Sequence, residues 1–326
     1  MTGKTVLVTG GAGYVGSHAC KALARAGYIP VTYDNLFRGH RELVKWGPLE
    51  VGDICDADAL GAVMRKHRPS AVMHFAALTV VGESVEQPEV YQRTNAGGTA
   101  TLLQAMRAHD IGKIIVSGTC AVYGMPTVTP ITEETPIGPI NPYAHSKLAM
   151  EHLVAEAGAA ANGSWVVFRY FNAAGADPEA ETGEWHEPET HLIPNILRAA
   201  AGIGAPLRMF GDDYATPDGT CIRDYIHVCD IAEAHVAALS YLASHSGGHV
   251  FNLGSEAGYS VREVIETARR ITGKPLPVTV EPRRPGDSAV LVADASRVKA
   301  ALDWAPKATL EDQVADAWRW VLKSGH

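Results

Sequence analysis

The apolar residues of the first half fall in short, β-branched runs separated by longer segments with helical spacing. Thr5–Val8, Ile29–Tyr33, Ala71–Phe75, Lys113–Val116 and Trp165–Arg169 read as strands, and each gap is long enough to hold a helix. Unbroken apolar runs suit strands covered on both faces. The alternation therefore predicts an α/β fold, a doubly wound parallel sheet of Rossmann-like type. After Asn172 the pattern dissolves into a Gly-, Glu- and Pro-rich stretch, Ala173–Glu189, which reads as surface loop before periodicity resumes at Leu192. A second, smaller α/β domain is expected from there. Asp230–Leu242 reads as an amphipathic helix and Val250–Leu253 as a strand that returns to the sheet. The expected division is residues 1–172, rejoined by about 228–254, and a discontinuous second unit within 173–326. Glu311–Leu322 sets Val314, Ala317, Trp318 and Val321 on one helical face, the stripe of a core-facing helix.

Composition narrows the function. A chain of 326 residues has room for about two domains and a sizeable core, so a disulfide scaffold is excluded. Hydrophobic residues at 46% and charged residues at 20% exclude a disordered or fibrous chain. The net charge of −8, from 28 basic against 36 acidic residues, opposes nucleic acid and anionic membranes as partners. An anionic ligand must then be met by local Arg or Lys. The five cysteines are scattered and never closely paired, so neither a disulfide framework nor a metal site is expected. The first residues hold no apolar stretch long enough for a signal peptide or a membrane span, which makes the cytoplasm the expected compartment.

Chemistry first shows at the end of the first strand. Thr9-Gly10-Gly11-Ala12-Gly13-Tyr14-Val15-Gly16 opens a helix expected over Ser17–Ala26, and so turns backbone N–H groups and a helix N-terminus toward a pyrophosphate. The next strand ends in Asp34, 18 residues on from Gly16 and near the spacing of roughly 20 at which a carboxylate meets the adenosine ribose. Such a carboxylate disfavours a 2′-phosphate. NAD is expected over NADP, although Arg38 stands nearby. Asp53, after another short strand, suits the adenine amino group or a turn.

Asn141-Pro142-Tyr143-Ala144-His145-Ser146-Lys147 supplies an N-cap, a Pro at the first helical position, and Tyr143 and Lys147 one turn apart on the same face. Lowering a phenol pKa from about 10 to about 7 needs roughly 4 kcal/mol. An ammonium about 5 Å away at an effective dielectric near 20 supplies roughly 3 kcal/mol, and a cationic nicotinamide ring the remainder. Tyr143 is thus a candidate base. Thr119, at the end of the strand that includes Lys113–Val116, stands where open parallel sheets bind ligands.

With these residues in place, the glycine loop, Thr119 and the Tyr143/Lys147 pair resemble the extended short-chain dehydrogenase/reductase superfamily, most closely its UDP-glucose (UDP-galactose) 4-epimerase branch. The resemblance runs through His74-Phe75-Ala76-Ala77, Val81-Gly82-Glu83-Ser84, Asn95, Arg169-Tyr170-Phe171-Asn172, Asp218-Gly219-Thr220, Arg223-Asp224-Tyr225-Ile226-His227 and Arg283-Arg284-Pro285-Gly286-Asp287. It implies a tightly held, recycled NAD, a UDP-sugar substrate, a transient 4-keto sugar and a homodimer. The residues implied for the cofactor are Gly10, Gly13, Tyr14, Val15, Gly16, Asp34, Asn35, Asp53, Ile54, Phe75, Ala76, Ala77, Asn95, Tyr143, Lys147 and Phe171. For the substrate they are Thr119, Asn172, His191, Leu192, Phe210, Arg223, Tyr225, Arg284, Asp287 and Leu291, with Arg223 and Arg284 at the diphosphate and Asp287 at the uridine ribose.

The chain departs from the family in places. Thr119 stands where Ser is frequent, Thr79 where some relatives carry Lys, and His191 where some carry a substrate-binding Asn. Leu291 occupies a position whose bulk limits the sugar pocket. UDP-xylose/UDP-arabinose and UDP-N-acetylhexosamine epimerases share the chemistry and differ in pocket shape. Related dehydratases and decarboxylases carry a carboxyl just before Val-Tyr-Gly, where this chain has Cys120 and Ala121, so elimination is disfavoured. An NAD-sensing regulatory protein would keep the glycine loop without needing Thr119, Tyr143 and Lys147.

Overall fold

The computed structural model describes residues 3–161, 163–284 and 286–326. Its strands are β1 (Thr5–Thr9), β2 (Ile29–Asp34), β3 (Leu49–Val51), β4 (Ala71–His74), β5 (Lys113–Thr119), β6 (Ser164–Tyr170), β7 (Asn172–Ala174), β8 (Leu207–Phe210), β9 (Ile222–His227), β10 (Gly247–Leu253), β11 (Gly258–Ser260), β12 (Val278–Glu281) and β13 (Val290–Leu291). The helices are α1 (Tyr14–Arg25), α2 (Ala57–His67), α3 (Val81–Glu86), α4 (Pro88–Tyr91), α5 (Gly98–Ala108), α6 (Pro142–Ala161), α7 (Leu192–Ala201), α8 (Val228–Tyr241), α9 (Val261–Thr272), α10 (Ser296–Leu302) and α11 (Leu310–Ser324).

Seven strands form one parallel sheet in the order β3-β2-β1-β4-β5-β6-β10. The unbroken apolar runs have the cause expected of them. On β1, Val6 and Val8 enter a core shared with α1 and α8, while Leu7 enters another shared with α2 and α5. Both faces of β1 are therefore buried. The chain winds outward from β1 to β3 and then crosses back to β4, so the loops leaving β1 and β4 diverge and open a crevice. β10 does return to the sheet, pairing with β6 from Gly247↔Ser164 to Leu253↔Tyr170.

A smaller sheet is centred on β9, which pairs with β7, β11 and β13, and β8 pairs separately with β12. Helices α7, α9 and α11 close a third core around Ile196, Leu197, Val264, Val314 and Val321. The stripe read on Glu311–Leu322 faces this core: Val314, Ala317 and Val321 are buried and Trp318 packs against them.

The surface-loop reading of Ala173–Glu189 is corrected. The segment begins within β7 and buries Ala176, Asp177, Ala180, Thr182 and Glu184. Its polar residues are spent inside the protein: Thr182 hydrogen-bonds Ser17 at 2.6 Å, Asp177 pairs with Lys21 at 2.8 Å, and Trp320 donates its indole N–H to the Glu184 carbonyl at 2.9 Å. Hydropathy cannot register such pairs, because a satisfied polar group in the interior has the same letter as a solvated one.

Three deeply buried histidines make the fold sensitive to acid. Burial lowers the pKa of His18 and His235 to about 4 and that of His74 to about 3. His74 lies between the Thr9 and Thr99 hydroxyls at 2.7 and 2.9 Å. These imidazoles stay neutral when folded and titrate near 6.5 once unfolded, so below pH 6.5 the unfolded chain binds more protons. Their contribution to stability is complete above pH 6.5 and is lost as pH falls toward 4, with a slope of up to about 4 kcal/mol per pH unit. Thermal scans at closely spaced pH should show Tm dropping steeply from pH 6.5 to 5. A flat Tm over that interval would contradict this account.

Candidate active site

The glycine turn is shaped by backbone contact. Gly10 has φ +73°, and a Cβ on it would lie 2.5 Å from the Ala76 nitrogen. One on Gly16 would lie 2.1 Å from the Gly10 carbonyl oxygen. Only glycine lets α1 start this close to the ends of β1 and β4. Gly13 caps the helix, which begins at Tyr14, three residues before the Ser17 expected. The N-terminus of α1 thereby faces the crevice with its dipole and free N–H groups.

Asp34, at the end of β2, is nearly buried and accepts hydrogen bonds from Ala12 N at 3.0 Å and Leu36 N at 2.9 Å. Burial raises its pKa despite these bonds. A carboxylate accepts about four hydrogen bonds, so lone pairs are left for ribose hydroxyls. Asn35 donates to Asp53 at 2.9 Å, which joins the two residues expected at the adenosine end. Arg38 is already engaged, donating to Glu83 at 3.1 Å and to the Glu187 carbonyl, so it is not a free cation for a 2′-phosphate. These features suit NAD. Gly16→Ala is expected to dislodge α1 from the turn and leave purified protein without retained dinucleotide, as read from the absorbance of an acid extract; retention at the wild-type level would refute the packing argument.

Other expected cofactor residues take supporting places. Tyr14 sends its hydroxyl to the Gly175 carbonyl at 2.6 Å, leaving only its backbone for a phosphate. Val15 packs on the α1 core and Ile54 is buried against Gly98. Phe75, Ala76 and Ala77 line the exit of β4, half-buried, and Phe171 is buried with Val122. Asn95 lies on a wide π-helical turn, Gln92–Gly97. Its amide donates to the Leu78 carbonyl and to Ser146 at 3.0 and 2.9 Å, so one donor holds the loop after β4, the other ties to α6, and only an Oδ1 lone pair remains for a ligand.

The catalytic candidates meet where β5 ends. Asn141 caps α6 by accepting from Ala144 N at 2.9 Å, as its place before Pro142 predicts. Thr119 accepts from Ala121 N at 3.2 Å, and its hydroxyl lies beside the Tyr143 phenol, where it favours the phenolate. Burial nevertheless raises the Tyr143 pKa to about 12. Lys147 is buried, its pKa lowered to about 8 by desolvation, and it donates to the Ser117 carbonyl at 2.5 Å and hydroxyl at 3.3 Å.

The sequence-based arithmetic, which began from an ordinary phenol, is corrected here. Bringing Tyr143 from about 12 to about 7 takes roughly 7 kcal/mol, more than the roughly 3 kcal/mol one ammonium supplies. Ser117 and the buried pair Glu151–Arg169 were not foreseen. The first is a backbone anchor and carries no motif. The second joins α6 to β6 at 2.7 Å, and only a four-residue step from Lys147 marks Glu151 in the sequence.

Of the expected substrate residues, Asn172, Arg223, Tyr225 and Leu291 lie on the small sheet and Phe210 on β8. Asn172 is the register partner of Tyr225, and Leu291 of Arg223. Asn172 donates to the Asp224 carbonyl at 2.8 Å, Arg223 donates to the Ser288 carbonyl at 2.8 Å and lies 3.5 Å from Asp287, and the Arg284 guanidinium stacks 3.9 Å over Phe210. Leu291 packs with Val122 and Phe171, next to the catalytic strand end. Cys120 lies near Arg223, and burial raises its thiol pKa to about 12, so it stays a neutral thiol. Leu192 begins α7. His191, just before it, is bound at 2.5 Å to Glu184, which raises its pKa and occupies its ring nitrogen Nδ1.

A parallel sheet with a glycine turn at its switch point and a Tyr/Lys pair beside a strand-end hydroxyl defines a dinucleotide-dependent enzyme that works on a carbon bearing a hydroxyl. The chain belongs to the NAD dependent epimerase/dehydratase family, whose model matches residues 6–254. It is 47% identical over 324 residues to the UDP-glucose 4-epimerase of Rhizobium leguminosarum bv. trifolii, covering 99% of both chains. The crystal structure of UDP-glucose 4-epimerase from Brucella ovis in complex with NAD superimposes with a TM-score of 0.95 at 47% identity, over 97% of this chain and 98% of that one. That of the Bifidobacterium longum enzyme with NAD+ and UDP gives 0.94 at 38% identity and 99% of each chain.

Proposed function

We propose that this chain is an NAD-dependent isomerase that interconverts UDP-glucose and UDP-galactose at C4 of the sugar. The observation that carries the reading is the Thr119 hydroxyl beside Tyr143 at the end of β5, with Lys147 one helical turn along α6 and no carboxyl at positions 120 and 121. Tyr143 accepts the proton of the sugar 4-hydroxyl and later returns it. Thr119 orients that hydroxyl and stabilises the phenolate. Lys147, one helical turn from Tyr143 and held by Ser117, supplies positive charge. NAD, once bound, supplies the oxidising equivalent at C4, gives it back, and adds the cationic charge that the phenolate needs beyond Lys147.

Asn172, Leu192, Tyr225 and the arginines Arg223 and Arg284 hold the UDP group while the sugar turns. Guanidinium forks match diphosphate oxygens. Arg223 exchanges Asp287 for phosphate, which frees Asp287 for the uridine ribose. Leu291 borders the sugar. We place the cofactor on residues 1–172 with 228–254 and the nucleotide sugar on the remainder of 173–326. The family resemblance supports a cytoplasmic homodimer, and among the described residues no helix is long and apolar enough to cross a membrane.

The test is to incubate purified protein with UDP-galactose, adding no NAD, and to follow UDP-glucose by NMR. Conversion is expected. Silence with both UDP-hexoses even after NAD is added overturns the reading, and turnover of UDP-N-acetylglucosamine or UDP-xylose alone would move the pocket assignment.

A further inference from the structure

Between β7 and α7, outside the catalytic machinery, Glu184, His186, Glu189 and His191 each bring one ligand-type atom to within 4.8 Å of all the others. His186 Nδ1 lies 3.1 Å from Glu184 and 3.7 Å from Glu189; His191 Nδ1 lies 2.5 Å from Glu184 and 3.4 Å from Glu189. Zinc bound at about 2.0–2.2 Å by four N and O ligands sets tetrahedral edges of roughly 3.3 Å. The observed spacings straddle that value. Both rings turn Nδ1 inward and each reaches both carboxylates, meeting the same oxygen of Glu184 and the two different oxygens of Glu189, so the four groups form one cluster rather than two separate ion pairs.

Burial adds an electrostatic requirement. The Glu184 and Glu189 side chains are only 6% and 4% exposed, and two carboxylates so placed need about two positive charges close by. The neighbouring acidic group meets the same need with an ammonium: Asp177, Glu179 and Glu181 reach Lys21 at 2.8, 2.7 and 2.5 Å. Among the described residues, no lysine or arginine is paired with Glu184 or Glu189, so the charge falls to the two imidazoles themselves or to a dication bound in place of their protons. The ligands are also held from outside. Glu189 accepts from Thr190 N and His191 N at 2.7 and 2.8 Å, and the Tyr14 ring meets His186 edge-on at 6.4 Å.

We propose that Glu184, His186, Glu189 and His191 form a closed tetrahedral site for a divalent transition metal, zinc by the chemistry of its ligands. Two carboxylates and two neutral imidazoles cancel the charge of a dication, and this donor set suits zinc over calcium or magnesium. Four protein ligands leave no position for substrate, so the metal is structural. It clips the segment that carries Asn172 at one end and Leu192 at the other, and through Tyr14 it abuts the helix that begins at the glycine turn.

The test uses tag-free, full-length protein and does not depend on turnover. Metal content is measured by mass spectrometry before and after dialysis against a chelator, and Zn2+ is then titrated calorimetrically into the stripped protein. About one equivalent per chain is expected, Co2+ should give the intense visible bands of a tetrahedral centre, and His186→Gln and Glu189→Gln should each weaken Zn2+ by more than about tenfold with circular dichroism unchanged. Failure to take up Zn2+, equal affinity in wild type and both variants, or the pale spectrum of octahedral Co2+ overturns the site. Should one variant fail to fold, the wild-type stoichiometry and the Co2+ spectrum decide alone.

Discussion

Tyr143→Phe should lower kcat by about 10³-fold or more while UDP and NAD bind as before. In the proposed mechanism this hydroxyl takes and returns the proton, and positioned acid–base catalysis contributes roughly 10²–10⁴-fold. The mechanism asks more than average of it, because the same oxygen must both receive and deliver in every turnover. Thr119 is the hydroxyl beside it, and losing one such partner should change stability by no more than about 1 kcal/mol. Steady-state kinetics beside calorimetric UDP titration separate the effects. A variant within tenfold of wild type would remove Tyr143 from the chemistry.

The largest expected loss of stability is at Arg169→Leu. Arg169 is buried and grips Glu151 through Nε at 3.3 and 3.2 Å and Nη2 at 2.7 Å, with a further bond to the Tyr123 hydroxyl at 2.9 Å. Removing it strands a buried carboxylate on α6, one turn beyond Lys147, at a cost of about 3–5 kcal/mol. At roughly 2–4 °C per kcal/mol, Tm should fall by about 10 °C. The double variant Arg169→Leu/Glu151→Leu leaves no unpaired charge and should recover most of that loss. If single and double variants melt together, stranded charge is not the cause.

What the sequence disclosed, and what it hid, follows from the kind of physics each feature uses. β1, β2, β4, β5 and β6 are covered on both faces, and such strands must be written as unbroken apolar runs. Gly10, Gly16 and the Asn141-Pro142 cap were legible because backbone geometry restricts those positions to a few residue types. The Tyr143/Lys147 pair was legible through helical spacing. The altered pKa of Tyr143 was not, since it depends on how deeply a ring is set and on where Lys147 points, and here the ammonium faces Ser117.

The segment after Asn172 was misread for a related reason. Its Asp, Glu and Thr residues look solvated as letters, yet Lys21, Ser17 and Trp320, all distant in sequence, make them interior. The same segment held Glu184-x-His186-x-x-Glu189-x-His191, a ligand spacing that a search confined to cysteines passes over.

The return of β10 to the sheet also bears on how the protein is made. During synthesis β6 is complete long before its outer neighbour exists; at about 5–20 residues per second the wait is roughly 4–15 seconds. Throughout that interval Ser-Trp-Val-Val-Phe-Arg-Tyr presents an unpaired row of N–H and C=O groups, rich in β-branched and aromatic side chains. A nascent chain in this state is a template for another copy of itself. Any product truncated before Gly247 would carry that open edge permanently and would be prone to self-association even with every cofactor-facing residue intact.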